Sequence, residues 1–237
     1  MISLMSPSSP FKVREMNSEL KIGLALGSGA ARGMSHIGVI NALAIKGIEP
    51  AIVCGTSVGS LVGASYAAGR LESLESWARS LSRLDVARFI DISPSFSGFV
   101  DTDRLHEFLN NHVSADDAVI EDLQKSYASV ATDLATGREV WLNEGSVIQS
   151  VWASMSLPGL FPAIRRDSQW LVDGGLVNPV PVSVCRALGA DIVIAVNLNG
   201  DIVGKRFEKA AVKLEKKKNN MNGMGKKIND LVKEYTN

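Results

Sequence analysis

No run of about 18 consecutive apolar residues, the length a membrane-crossing helix requires, occurs in the 237-residue chain. The first twenty residues hold no continuous apolar stretch either. They are rich in Ser and Pro, and residues 1–20 read as a flexible N-terminal arm, not a secretory leader. Cysteine is scarce: only Cys54 and Cys185 occur, both in apolar surroundings. Two thiols in a chain of this length make no disulfide framework, so a reducing cytoplasm is the expected compartment. Histidine is also sparse. His36, His106 and His112 are the only three, and none follows residue 112. No ligand cluster shows metal-binding spacing, so neither a metal nor a cofactor is expected.

Net charge is absent, with 25 basic residues against 25 acidic ones. The distribution is uneven, however. Residues 205–237 carry ten Lys or Arg against four Asp or Glu. Residues 202–237 therefore read as a basic C-terminal tail, a type of segment that binds anionic surfaces in some proteins and is merely solvated in most. No nucleic-acid partner is expected, and nothing in the sequence specifies an oligomeric state.

What the chain does have is a hydrophobic content of 46%, enough for one large α/β domain. Ile22 to Leu26 reads as a buried strand, followed by a glycine-rich loop at 27–33 and a helix near 34–46. Residues 51–54 read as a second strand, and 58–69 as a helix rich in Gly, Ala and Ser. Further helices are expected over 71–83, from 101 or 102 to 111, over 146–154 and over 182–188. Strands are expected over 127–132, 139–142, 170–173 and 191–197. Strands alternating with helices predict a parallel-rich sheet covered on both faces. The apolar segment from Phe89 to Val100 either lines a substrate channel or packs into the core.

Gly55-Thr56-Ser57-Val58-Gly59 follows an apolar strand and opens a helix. A nucleophile elbow sits in that context: a sharp turn lifts the serine hydroxyl out of the sheet. The helix dipole then favours negative charge developing beside it. Gly27-x-Gly29-x-x-x-Gly33 has two functional readings. A dinucleotide fingerprint would want an acidic residue near the end of the second strand, and that strand instead runs into the serine turn. The other reading is a loop whose backbone N–H groups stabilise an acyl oxyanion. No histidine is placed to complete a familiar triad with Ser57. Asp173 ends a strong apolar strand before Gly174-Gly175, and from local pattern alone it is either a turn cap or the base. Asp133 reads as structural.

Together these residues resemble the patatin-like phospholipase family over about residues 21–201, and in particular its bacterial RssA-like branch. Ser28-Gly29-Ala30-Ala31-Arg32-Gly33 is similar to that family's oxyanion loop, with Ser and Ala in place of two glycines. Gly55 to Gly59 matches its nucleophile motif, and Asp173-Gly174-Gly175 its Asp-Gly-Gly/Ala motif. The resemblance implies a three-layer α/β/α fold with a mostly parallel central sheet, spanning a catalytic domain over residues 21–201. It further implies a Ser57–Asp173 dyad hydrolysing lipid acyl esters. The basic tail adds the option of peripheral contact with the inner face of a membrane. Oxyanion and substrate contacts then fall to Ser28, Gly29, Ala30, Ala31, Arg32 and Gly33. Arg32 either attracts a lipid phosphate or pins its own loop. The alternative is a catalytically weak, patatin-fold regulatory or membrane-binding protein.

Overall fold

The computed structural model describes residues 20–81 and 102–200. Residues 1–19 of the N-terminal arm, the Phe89–Val100 segment and the whole basic tail lie outside the described residues. Seven strands form one sheet: β1 (Ile22–Leu26), β2 (Ile52–Thr56), β3 (Ser126–Asp133), β4 (Glu139–Leu142), β5 (Ile164–Arg166), β6 (Gln169–Asp173) and β7 (Ile192–Val196). The helices are α1 (Ser35–Ile45), α2 (Val58–Ala67), α3 (Leu71–Ser80), α4 (Thr102–His112), α5 (Val147–Met155) and α6 (Val182–Ala187). Short 3-10 turns at Ala30–Met34, Ile120–Asp122 and Gly174–Leu176 complete the described elements.

Alternation along the strands sorts side chains onto two faces. Leu24, Leu26 and Val53 join one buried cluster with Ile37 and Ile40 of α1, Leu61 of α2 and Val151 of α5. Ala25, Ile52 and Cys54 point the other way and pack with Val184 and Cys185 of α6. The result is a sheet between two helical layers. α2 is the most deeply embedded helix: of its ten residues only Tyr66 is not buried. Small residues permit that depth, because they let a backbone lie close against a sheet.

β7, β1, β2 and β3 run parallel to their neighbours, while β4, β5 and β6 pair antiparallel. The expected parallel core is therefore present, with an antiparallel extension beside it. β5 has no counterpart in the sequence reading, since three residues containing two arginines carry little strand signal. β2 runs two residues past its expected end, through Gly55 and Thr56, because Ser129 and Val130 of β3 hold them in register.

The pairing of β3 matters most. It partners β2 over residues 126–130, β6 over 131–133, and β4 over 129–132. β4 overlaps both of the others, and a strand has only two edges. β4 therefore occupies one edge, and β2 and β6 share the opposite edge end to end. Thr56 stands against Val130 and Asp173 against Ala131, the next residue. An antiparallel strand thus delivers its last residue to the end of a parallel one.

Candidate active site

Ser57 leaves β2 and enters α2 with φ 56° and ψ −126°, a conformation strained by roughly 1–3 kcal/mol for a residue with a side chain. Hydrogen bonds hold it there. Its N–H donates to Ser154 Oγ at 2.9 Å. Its carbonyl accepts from the Ser60 N–H at 2.8 Å and from Ser60 Oγ at 2.6 Å. At the second residue of α2, a methyl group on Gly59 would overlap the Leu26 carbonyl, so only glycine lets the helix start this close to β1.

From this elbow the Ser57 hydroxyl donates to Asp173 Oδ2 at 2.6 Å. The other carboxylate oxygen, Oδ1, accepts the Gly175 N–H at 2.7 Å. The backbone of Asp173 is pinned on both sides: its N–H donates to the Ser156 carbonyl at 2.9 Å, and its carbonyl accepts from Thr132 Oγ1 at 2.8 Å. Gly174 passes over the Val130 carbonyl so closely that any side chain would collide with it. Asp173 is only 5% exposed. Burial pushes its carboxyl above the usual carboxylate range, outweighing the opposing hydrogen bonds from Ser57 and Gly175.

The glycine-rich loop closes the third side. Gly33 packs against the Val58 side chain, leaving no room for a methyl group. A Cβ on Gly175 would lie 3.5 Å from Ser28 Oγ. Loop, elbow and aspartate turn therefore touch pairwise around one point at the carboxyl ends of β1 and β2. Within the loop the Ser28 N–H is committed to the Pro179 carbonyl at 2.8 Å, and the Arg32 N–H to Gly29 O at 3.2 Å. Among the described residues the amides of Gly29, Ala30 and Ala31 have no partner within the protein. Ala30 adopts φ 48°, in the left-handed region that favours glycine. Alanine at this position therefore carries a conformational cost that glycine would not. Arg32 is exposed and donates through Nη2 to Asn199 Oδ1 at 2.7 Å, so its guanidinium helps pin the loop.

None of the three histidines bonds to Ser57. His36 Nε2 donates to the Gly27 carbonyl at 2.7 Å. His106 faces Asp116, and His112 faces Ser73. Asp133 closes the hairpin after β3, accepting from the N–H groups of Ala135 and Thr136. Three supporting residues escape the sequence reading. Ser154, Thr132 and Asn199 lie in no motif, and each acts through a contact with a distant segment. Ser154 is the central one: fully buried, it accepts from the Ser57 N–H and donates to the Val130 carbonyl at 2.6 Å. A serine on an apolar helix face gives a faint signal of such a role, but not of its partner.

A family model described as Patatin-like phospholipase matches residues 24–186. The chain is 37% identical over 200 residues to an uncharacterized NTE family protein of Mycobacterium tuberculosis, a match covering 84% of this chain and 55% of that protein. It is 35% identical over 189 residues to human patatin-like phospholipase domain-containing protein 6, covering 75% of this chain and 13% of that protein. To domain-containing protein 7 of Rattus norvegicus it is 33% identical over 194 residues, covering 79% and 14% respectively. The chain thus spans about half the length of the mycobacterial relative and a small part of the mammalian ones.

Proposed function

The chain belongs to the patatin-like phospholipase family, and on that premise we propose that it is a serine hydrolase of lipid acyl esters working through a Ser57–Asp173 dyad. The observation that carries the reading is the 2.6 Å hydrogen bond from Ser57 Oγ to a buried carboxylate, beside a loop with unpartnered amides. Asp173 accepts the hydroxyl proton as Ser57 Oγ attacks the ester carbonyl carbon. Negative charge moves to the carbonyl oxygen, where the N–H groups of Gly29 and Ala30 receive it, supplemented by Ala31. The tetrahedral intermediate collapses, and the departing alcohol takes the proton back from Asp173. Water then gives a proton to Asp173 and its oxygen to the acyl carbon. Collapse of this second intermediate releases the fatty acid, and the Asp173 proton returns to Ser57.

Burial makes Asp173 a stronger base than an exposed carboxylate, which suits it to work without an imidazole. Leu157 and Leu176, 40% and 58% exposed, follow directly on Ser156 and Gly175. Exposed apolar residues next in sequence to the site suit an acyl-ester substrate. We take residues 21–201 as the catalytic unit, and the basic tail at 202–237 as the part that meets an anionic membrane surface on its cytoplasmic side. The deciding experiment is reaction with a fluorophosphonate probe and turnover of p-nitrophenyl butyrate. Both are expected in the wild type and lost in Ser57→Ala. A folded wild type inert to both would reject the hydrolase reading in favour of a non-catalytic binding protein.

A further inference from the structure

Asn199 lies beyond β7, yet its side chain reaches back into the glycine-rich loop. Nδ2 donates to the Ser28 carbonyl at 2.9 Å and to Ser28 Oγ at 3.1 Å. Oδ1 accepts from Arg32 Nη2 at 2.7 Å. Arginine can only donate and a carbonyl can only accept, so these partners fix which way the Asn199 amide faces. The residue is itself held, because its N–H donates to Asn197 Oδ1 at 2.9 Å.

The consequence follows from peptide geometry. In a planar trans peptide the C=O and N–H point in opposite directions. The Ser28 carbonyl and the Gly29 N–H belong to one such plane. Anchoring that carbonyl on Asn199 aims the Gly29 N–H the other way, as an unpartnered donor. The preceding plane is secured at both ends: the Gly27 carbonyl accepts from His36, and the Ser28 N–H donates to Pro179. The following plane is secured by the Arg32 N–H on the Gly29 carbonyl. Only the Ser28–Gly29 plane depends on a side chain from beyond β7. Glycine at position 29 offers no steric resistance to its rotation, since glycine tolerates φ of either sign.

We propose that Asn199 is a positioning residue for the oxyanion hole: it locks the Ser28–Gly29 peptide with its N–H presented to the acyl oxygen, and never touches substrate itself. The inference rests on the ester-hydrolase reading above. It explains why a side chain so far along the sequence bonds to the loop at both Ser28 and Arg32.

Two variants separate this role from simple anchoring of the segment after β7. Asn199→Asp keeps an acceptor for Arg32 but has no donor for the Ser28 carbonyl. Asn199→Ala loses both contacts. Turnover of p-nitrophenyl butyrate at pH 8 should fall about 10–100-fold in kcat for both variants, below the cost of deleting a donor outright. KM should stay within about twofold, and the fluorophosphonate labelling rate should fall in parallel. Asn199→Asp should melt at the wild-type temperature, because its contact with Arg32 survives. If Asn199→Asp retains kcat within twofold of wild type, the residue is only an anchor and the inference is overturned. A wild type inert to both ester and probe would instead overturn the hydrolase reading, and this inference with it.

Discussion

Thr56 and Asp173 end their strands against consecutive residues of β3, Val130 and Ala131. That adjacency, more than either motif alone, brings a serine and an aspartate 116 positions apart into a 2.6 Å hydrogen bond. The two strands arrive from opposite directions along one edge of β3. The serine turn and the aspartate turn are therefore two ends of a single interrupted row of backbone pairing.

Asp173→Asn should lower kcat on p-nitrophenyl butyrate by about 10²–10⁴-fold, the usual contribution of a general base. In the wild type, kcat/KM should rise with pH through an Asp173 midpoint above the ordinary carboxylate value of about 3.9. Stability should move the opposite way. A raised folded-state pKa favours the protonated carboxyl, so its stabilising contribution is complete below about pH 3.9 and is lost as pH rises through the folded value. At pH 7 the neutral asparagine variant should therefore melt no lower than wild type. A clearly lower melting temperature would show that the carboxylate supports the fold instead of burdening it.

Ser154→Ala should cost stability and activity together. The variant leaves the partly buried Ser57 N–H without its acceptor, a loss of about 1–3 kcal/mol. For a domain of this size that lowers Tm by about 2–4 °C per kcal/mol. The elbow also loses its tie to the Val130 carbonyl, so kcat should fall while KM changes little. Thermal melts and steady-state kinetics on the same preparation test both effects. An unchanged Tm would mean that the Ser57 amide finds another partner.

His36 should make the fold acid-sensitive. Its ring is fully buried, with Nε2 on the Gly27 carbonyl and Nδ1 without a partner among the described residues. Burial holds its pKa below the usual value, against the opposing pull of the Gly27 hydrogen bond. For a lowered folded-state pKa, the stabilising contribution is present above about pH 6.5 and is lost as pH falls through the folded value. The melting-temperature difference between wild type and His36→Asn should therefore shrink or reverse as pH drops below about 6.5. A difference independent of pH would reject the assignment.

The three motifs were legible because each is built from consecutive residues under local constraint. Gly59 must be small to pass Leu26, Gly174 to pass Val130, and Ser57 must turn sharply between strand and helix. The strand and helix pattern was legible for the same reason, through apolar periodicity. The end-to-end meeting of β2 and β6 was not legible, since it depends on how β3 divides its two edges among three partners. Ser154 and Asn199 stayed hidden because their partners, Ser57 and Ser28, lie 97 and 171 positions away. Arg32 was open between two roles. Its bond to Asn199 accounts for loop pinning without invoking a phosphate.

The shared edge of β3 also orders events during folding. Ser57 is synthesised early, but its partner comes from a strand that must find β3 after more than a hundred further residues have been made. Contacts of such sequence separation form slowly, because closing the intervening chain costs entropy first. A nascent or refolding chain can therefore build the β1–β2–β3 sheet while Ser57 still lacks Asp173. On the hydrolase reading, activity would appear only after β6 docks, so its return would time the filling of that edge of β3.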